Sequence, residues 1–389
     1  MTGPVVAFYA PMKAPDHPVP SGDREIARLT LRALETAGFD PFVASDLRIY
    51  DGKGDSAVQA DLFVQAQSEV DRLIDDLSDQ RPALWFTYHS YYKAPDLIGP
   101  KVARALGIPY AISEPSISPK RREGPWADFA QASEDAIAQA DRLFYSTDRD
   151  RPALQNAGHG DRMVHLKPFI DPGPVVPARD AGTPLRLLTV AMMRPGDKLE
   201  SYRRLAAGLK ALDAGLRPEK PVANRFTMGM LEDGSLSGEF VPAGYAPPVT
   251  KWTIDLHGDG AARTDVEALF SAWPDKSRFH GSSDGKTVRR AYQEADILVW
   301  PGVGEGVGMV YLEAQATALP VVAEDHPAQR ELVFSRRVSP DDPAEMAEEI
   351  RIAAAKRGAY GLFAQKKVYS YHSLTAAAET LGTQLRALL

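Results

Sequence analysis

The chain has 389 residues, a formal net charge of −7 at pH 7 and no cysteine. Its length predicts about two to three domains, each large enough to bury its own core. The lack of cysteine excludes disulfides, thiolate metal sites and cysteine nucleophiles, and the negative charge argues against a protein that grips nucleic acid over a broad basic face.

The first residues, M-T-G-P-V-V-A-F-Y-A-P, do not combine a basic segment with a following apolar run, so we expect no signal peptide. No apolar stretch approaches about 18 residues, the length that spans a membrane. The expected location is therefore cytoplasmic.

Short apolar runs alternate with amphipathic segments, a pattern typical of βα units and parallel sheets. In the first half, strands are predicted at 5–9, 41–44, 83–88, 109–112, 143–145 and 164–166. Helices are predicted at 22–38, 57–77, 97–106, 126–140 and 150–157. The five prolines within 168–184 predict a linker between two domains.

The same alternation restarts after the linker. Strands are predicted at 185–191, 252–256, 278–280, 295–300 and 321–323, and helices at 199–212, 266–273, 288–295 and 375–388. Residues 217–250 fit no βα unit, so we predict an insertion with short strands of its own, which is a candidate interface.

One turn in the second half carries the clearest chemistry. Residues 300–322 read W-P-G-V-G-E-G-V-G-M-V-Y-L-E-A-Q-A-T-A-L-P-V-V. Glycines let the backbone approach a ligand closely, and the start of the following helix favours phosphate. Glu305 and Glu313 add carboxylates, which suit hydroxyl groups. A nucleotide sugar offers both phosphate and hydroxyl groups. The alternative interpretation is an ordinary strand-to-helix turn with surface acids.

The segment from Glu305 to Glu313, E-G-V-G-M-V-Y-L-E, resembles the E-x7-E signature of the family-4 retaining glycosyltransferases. That family has the GT-B architecture, an α/β fold of two Rossmann-like βαβ domains facing a central cleft. The resemblance implies a first domain over 1–170 on the acceptor side and a second over 171–370 on the donor side. It also implies a terminal helix within 371–389 that crosses back to the first domain.

The resemblance further assigns roles to residues of the turn. Glu305 would face the donor sugar and Glu313 would bind the ribose of the nucleotide. The backbone that would hold sugar and phosphate is that of Val307, Gly308, Met309 and Val310.

Two cations follow the first strand of the second half, Arg194 and Lys198 in V-A-M-M-R-P-G-D-K-L. Family members carry an Arg and a Lys at matching places, where the pair contacts the donor diphosphate. Preorganised cations of this kind stabilise the charge that builds on a departing phosphate. Two solvated surface cations are the alternative.

The first half offers further candidates at strand ends, which line the ligand crevice in parallel sheets. Gly22 opens a helix whose start suits phosphate. His89 and Lys93 are candidates for acceptor contact, although a strand-end histidine is often structural. Glu114 stands where family members often carry a histidine that contacts the donor sugar. It is a candidate for binding a sugar hydroxyl, or for orienting a cation or an amino group on the acceptor.

A basic loop, P-K-R-R-E-G-P-W at 119–126, is a candidate for an anionic acceptor or for peripheral contact with anionic lipid. A solvated loop is the alternative. Asp148-Arg149-Asp150 begins a predicted helix, where acids suit the dipole, so we assign no metal to it. No G-x-G-x-x-G follows the first strand, which argues against a nicotinamide dehydrogenase.

Together these features predict a retaining, metal-independent glycosyltransferase of polysaccharide or glycolipid biosynthesis. The donor would be a UDP- or GDP-linked sugar, and the acceptor a glycan, lipid-linked or small-molecule hydroxyl. No cofactor, metal or nucleic-acid partner is expected. The candidate catalytic residues are His89, Glu114, Arg194, Lys198 and Glu305. The alternatives are a GT-B nucleotide-sugar epimerase or hydrolase, and a non-catalytic nucleotide-sugar-binding protein.

Overall fold

A computed structural model describes residues 3–19, 21–219, 225–230, 236–241 and 245–389. Their contacts divide the chain into two units, one of Met1–Asp171 with Leu374–Leu389 and one of Pro172–Ser373. Each unit is built on a six-stranded parallel sheet. Among the described residues, no helix combines the length and the apolar character needed to cross a membrane.

The first unit alternates strands and helices along the chain. Its strands are β1 (Val5–Tyr9), β2 (Asp40–Ser45), β3 (Leu84–Tyr88), β4 (Tyr110–Ser113), β5 (Arg142–Tyr145) and β6 (Met163–His165). Its first five helices are α1 (Gly22–Thr36), α2 (Ser56–Leu77), α3 (Gly99–Leu106), α4 (Ala127–Gln139) and α5 (Arg151–Asn156). The strand order is β2-β1-β3-β4-β5-β6, so the order along the sheet reverses between β1 and β3.

The central strand β3 (L-W-F-T-Y) is buried along its whole length, as expected for a parallel strand covered on both faces. Just beyond it, the buried Asp96 accepts hydrogen bonds from Thr87 Oγ1 at 2.5 Å and Tyr110 Oη at 2.7 Å. Asp96 also accepts from the backbone N–H groups of Ile98 and Gly99. These bonds hold the segment 89–98, which follows β3, against the core.

The second unit continues with β7 (Leu185–Val190), β8 (Arg225–Met230), β9 (Leu236–Val241), β10 (Trp252–His257), β11 (Ser277–Gly281), β12 (Ile297–Val299), β13 (Val321–Glu324) and β14 (Arg336–Val338). Its helices are α6 (Asp197–Asp213), α7 (Arg263–Leu269), α8 (Gly285–Glu294), α9 (Met309–Ala316), α10 (Pro327–Leu332), α11 (Pro343–Ala355) and α12 (Arg357–Tyr371). The parallel sheet has the order β11-β10-β7-β12-β13-β14, which is the 3-2-1-4-5-6 order of a Rossmann fold.

The predicted insertion does contain two strands, because β8 and β9 form a separate antiparallel pair. Parts of the 217–250 prediction, at 220–224, 231–235 and 242–244, lie outside the described residues. The last helix, α13 (Leu374–Arg386), packs against α1 and belongs to the first unit. The backbone N–H of Leu374 donates to the Ile170 carbonyl at 2.8 Å and fixes the start of this helix.

The two sheet orders indicate where ligands bind. In open parallel sheets the ligand crevice lies at the carboxyl ends of the strands, at the point where the strand order reverses. That point lies between β1 and β3 in the first unit and between β7 and β12 in the second. The segments that follow these four strands hold most of the candidate residues predicted from the sequence.

Candidate functional site

In the second unit, the segments after β7 and β12 bring a cation and a carboxylate together. Lys198, in the first turn of α6, forms an ion pair with Glu305 Oε1, and the indole Nε1 of Trp300 donates to the same oxygen at 3.0 Å. The Lys198 ammonium also lies 5.4 Å from the centroid of the Trp300 ring. Glu305 is therefore held in place by a charge and by a hydrogen bond from a buried indole.

The loop that carries Glu305 docks onto the start of α6. The backbone N–H of Val303 donates to Ser201 Oγ at 2.9 Å. Gly304 has a φ of 66°, and a Cβ atom there would lie 2.1 Å from a carboxylate oxygen of Asp197. A side chain at this position would hold a strained backbone conformation and would have to displace the Asp197 carboxylate.

Gly302 is constrained in the same way. Its φ is 76°, and a Cβ atom would lie 2.0 Å from the Tyr311 hydroxyl. The buried Gln329 side chain donates to the Gly302 carbonyl at 2.7 Å. The sequence predicted the close approach of a ligand at these glycines. The structure shows that side chains of the protein itself already crowd two of them, Gly302 and Gly304.

Glu313 lies on the exposed face of α9, and the Tyr292 hydroxyl from α8 donates to its Oε2 at 2.9 Å. Tyr292 itself is buried. No side chain caps the start of α9, which follows Gly308. The N–H groups of Met309 and Tyr311 donate to the backbone carbonyls of Val307 and Gly308, at 3.2 and 3.0 Å. The candidate backbone of Val307 to Val310 lies at this helix start.

Arg194 lies in the segment between β7 and α6 with an exposed side chain. Within the described ranges it forms no ion pair. Its neighbour Met193 is fixed to the segment after β10, because Met193 N–H donates to the Asp259 carbonyl at 2.9 Å and the Met193 carbonyl accepts from Ala262 N–H at 2.9 Å. A free guanidinium thus projects from a firmly held backbone.

The close contact between these segments yields a stability prediction at Gly258. Its φ is 150°, and a Cβ atom would lie 1.8 Å from the Ala191 carbonyl oxygen. We expect Gly258→Ala to lower the free energy of unfolding by about 1–3 kcal/mol, because the backbone must move. Urea denaturation measures the loss. Gly285→Ala is the matched control, since nothing lies within 4 Å of its Cβ position; equal stability of the two variants would contradict the prediction.

In the first unit, two candidate residues follow β3 and β4, which lie on one side of the point where the strand order reverses. His89 follows β3 and Glu114 follows β4, and both have left-handed backbones with φ of 61° and 53°. His89 Nδ1 lies 3.3 Å from Asp23 Oδ1 in the first turn of α1. The Tyr88 hydroxyl donates to Glu114 Oε2 at 3.5 Å. Left-handed backbone at non-glycine residues is costly and concentrates at functional sites.

The charges in this group influence one another. Burial lowers the pKa of His89, but the hydrogen bond to Asp23 and the negative charges of Glu114, Asp23 and Asp150 raise it by more, so it lies above 6.5. Burial raises the pKa of Glu114, as do Asp150 and Asp23, against the opposing charge of His89. Burial also raises the pKa of Asp23, yet its contact with His89 lowers that pKa overall.

The raised pKa of His89 predicts a defined pH dependence. The stability that protonated His89 contributes is fully present below its unfolded pKa, near 6.5, and is lost as the pH rises through the higher folded pKa. We expect Asp23→Asn to lower the pKa of His89 and to reduce this pH dependence. An NMR titration of the ring protons measures it, with His165 as the internal control. An unchanged His89 pKa in the variant would contradict the contact.

Several residues at these places were not predicted from the sequence, namely Asp23, Tyr88, Tyr292 and Trp300. Asp23 is the acid beside Gly22, and its position in the first turn of α1 was visible. Gly22 itself is exposed with nothing within 4 Å of its Cβ position, so no contact in the protein requires a glycine there. In the part of the chain that the structure describes, no group of three or more His, Cys, Asp or Glu side chains is arranged to hold a metal ion.

Parts of this chain are similar to one family model and to curated proteins. Residues 241–355, which include Glu305 and Glu313, match the family model "Glycosyl transferases group 1". The D-inositol 3-phosphate glycosyltransferase of Streptomyces griseus subsp. griseus is 24% identical over 274 residues, covering 63% of this chain and 53% of that protein. The chain spans about half, or less, of the length of the curated relatives it matches.

Solved structures show the fold. Sucrose-phosphate synthase from Thermosynechococcus elongatus superposes with a TM-score of 0.65 at 17% identity, covering 99% of each chain. Anabaena Alr3699/HepE, solved with UDP and glucose, has a TM-score of 0.62 at 13% identity and covers 99% of this chain and 100% of its own. The prediction of a GT-B architecture with two Rossmann-like domains is therefore confirmed.

Proposed function

We propose that this protein transfers a sugar from a UDP- or GDP-linked donor to an acceptor hydroxyl with retention of the anomeric configuration. The family match, the curated relative and the GT-B neighbours support a glycosyltransferase that uses a nucleotide sugar. The observation that carries the proposal is the Lys198–Glu305 ion pair at the reversal point of the second sheet, where the segment after β7 also carries the exposed Arg194.

The donor site follows from the charges present. Arg194 and Lys198 take the diphosphate, and the positive end of the α9 dipole favours its negative charge. Lys198 forms an ion pair with Glu305. When phosphate shares the ammonium, Glu305 is free to accept a hydrogen bond from a sugar hydroxyl. Glu313 accepts from the ribose hydroxyls, while Tyr292 keeps one of its oxygens in place.

In the reaction, the bond between the anomeric carbon and the phosphate oxygen breaks, and the acceptor oxygen bonds to that carbon from the same face. The acceptor proton passes to the departing phosphate. Negative charge builds on the diphosphate, and Arg194 and Lys198 stabilise it without a metal ion. Metal independence is part of the proposal and rests on these two cations.

The acceptor belongs to the first unit in this proposal. His89 and Glu114 follow the neighbouring strands β3 and β4, and Asp23 in the first turn of α1 contacts His89. Such groups accept hydrogen bonds from hydroxyls and orient them. A glycan, a lipid-linked sugar and a small polyol all carry hydroxyls of this kind. His89 and Glu114 are proposed to contact the acceptor, and Asp23 to position His89.

The test is incubation with UDP- and GDP-sugars, with and without acceptors and with and without EDTA. We expect nucleotide release that depends on acceptor and survives EDTA, and an NMR spectrum of the product showing the donor's anomeric configuration. Product without a glycosidic bond would indicate an epimerase or hydrolase. Tight nucleotide-sugar binding without turnover on any acceptor would indicate a non-catalytic binding protein.

A further inference from the structure

Two cations of the first unit lie over the same pair of aromatic rings. The Lys93 ammonium is 5.7 Å from the Tyr92 ring centroid and 5.5 Å from that of Trp126. The Arg121 guanidinium is 5.1 and 5.0 Å from the same two centroids. The rings meet edge to face with centroids 5.8 Å apart. We refer to these four residues as the aromatic–cation cluster.

Neither cation of the cluster is neutralised by the protein. In the described ranges, Lys93 and Arg121 form no ion pair, whereas the adjacent Arg122 is paired with Glu134 at 2.9 Å. Two positive charges over the same rings repel each other, and cation–π attraction offsets only part of this. A bound anion would remove the repulsion and bond to both cations.

The cluster is built on a rigid support. Trp126 Nε1 donates to the Asp51 carbonyl at 3.1 Å, and Asp51 N–H donates to the Lys93 carbonyl at 2.9 Å. The buried Asp51 carboxylate accepts from Gln59 Nε2 at 2.7 Å and from three backbone N–H groups, those of Lys53, Gly54 and Asp55. These four donors satisfy the carboxylate, so Asp51 holds the scaffold under the cluster and does not pair with Lys93 or Arg121.

A line of rings connects the cluster to His89. The His89 and Tyr91 rings stack with centroids 4.8 Å apart, Tyr91 meets Tyr92 at 5.6 Å, and Tyr92 meets Trp126. Aromatic faces of this kind suit the apolar face of a sugar or cyclitol ring. A ligand whose hydroxyl lies at His89 would therefore place its other end towards Lys93 and Arg121.

We infer that the aromatic–cation cluster binds a phosphate ester carried by the acceptor, an inference that rests on the proposed function. A phosphomonoester carries about −1.5 to −2 charges near pH 7, which matches two cations better than a carboxylate does. The ester belongs either to a soluble sugar or polyol monophosphate or to a lipid headgroup, whose phosphodiester carries a single negative charge. Both sources share the phosphate chemistry that Lys93 and Arg121 recognise.

The test measures binding directly, with UDP present to fill the donor site. The soluble probes are glucose 6-phosphate and inorganic phosphate, followed by calorimetry, and glucose is the uncharged control. The membrane probe is phosphatidylcholine vesicles with and without phosphatidylglycerol, followed by co-sedimentation. We expect Lys93→Gln and Arg121→Gln each to weaken phosphate binding about tenfold. Arg122→Gln, the neighbouring cation in the same loop, should leave it unchanged.

The outcomes separate the two sources and the two proposals. Variant-sensitive binding of the soluble phosphates supports a phosphorylated acceptor, and variant-sensitive binding confined to the phosphatidylglycerol vesicles supports a lipid headgroup. The inference is overturned if neither the soluble phosphates nor the vesicles bind. It is also overturned if Arg122→Gln weakens binding as much as Lys93→Gln and Arg121→Gln do. Affinity for UDP and for GDP is measured on the same proteins. The absence of both would refute the proposed donor site, while retention of either alongside lost phosphate binding would refute only the cluster.

Discussion

Glu305→Gln is expected to lower the rate of sugar transfer by about a hundredfold or more, the loss seen when one preorganised electrostatic group is removed from a site. The amide keeps the volume of the side chain and an oxygen for Trp300 Nε1. It removes the charge that pairs with Lys198 and that accepts strongly from a sugar hydroxyl. The measurement is the transfer rate at saturating donor and acceptor.

The same variant needs a folding control, because Glu305 is largely buried and its loss leaves Lys198 without its partner. Circular dichroism and the urea midpoint of the variant establish that the second unit is folded. Glu294→Gln is the matched substitution, since Glu294 is exposed and pairs only with Arg290 on the surface of α8. A folded Glu305→Gln protein that transfers sugar as fast as Glu294→Gln would contradict the role given to Glu305.

Arg194→Gln is the second substitution with a large expected effect, a fall in turnover of about ten- to a hundredfold. A charge-assisted hydrogen bond to phosphate contributes about 1.5–3 kcal/mol, and more of it is realised as charge builds on the leaving group. Stability should not change, because the Arg194 side chain is exposed and forms no ion pair with a described residue. Turnover and the urea midpoint are measured on the same preparation.

The control for Arg194→Gln is a substitution on α6, the helix that follows the loop carrying Arg194. Arg203 is exposed on α6 and pairs with Glu200 one turn away, so Arg203→Gln removes one cation from this region without touching the loop after β7. We expect it to transfer sugar at the parent rate. If both variants lose activity equally, the effect comes from net charge near the donor and the specific contact assigned to Arg194 is wrong.

The βα alternation was readable because the apolar strand runs are short, and central strands such as β3 and β12 are buried along their whole length. The predicted strand at 83–88 is β3 at Leu84–Tyr88, and the predicted helix at 57–77 is α2 at Ser56–Leu77. The strand orders were not readable from the pattern alone, because pairing depends on contacts between distant segments. Because β7 and β12 are adjacent in the sheet, the loops that follow them, which carry Arg194 and Glu305, are neighbours in the second unit.

The region after β13 shows why other parts could not be predicted. Helices α11 and α12 carry buried charged residues. In the sequence, these charges resemble those of a solvent-exposed segment. Arg336 forms a buried bidentate pair with Glu349, and Glu348 accepts from Arg351 at 3.1 Å. Charges that satisfy each other inside a core break the apolar periodicity on which sequence-based prediction relies.

The sequence predicted which residues lie at the candidate site, but not which side chains contact them. The glycine-rich turn located Glu305 and Glu313, but nothing in the spacing indicates that Trp300 and Lys198 hold the first or that Tyr292 holds the second. Those partners come from other strands and helices. Likewise, the basic loop at 119–126 was visible, whereas the shared placement of Lys93 and Arg121 over two rings arises only from tertiary folding.

The central claim is that the turn after β12 and the segment after β7 grip a nucleotide sugar, and a crystal structure with a bound UDP- or GDP-sugar tests it most directly. We expect ribose hydroxyls within hydrogen-bond distance of Glu313, the diphosphate at Arg194 and Lys198, and the sugar at Glu305, with the Lys198–Glu305 pair loosened. A nucleotide bound elsewhere, with Glu313 and Arg194 contacting only solvent, would contradict the account.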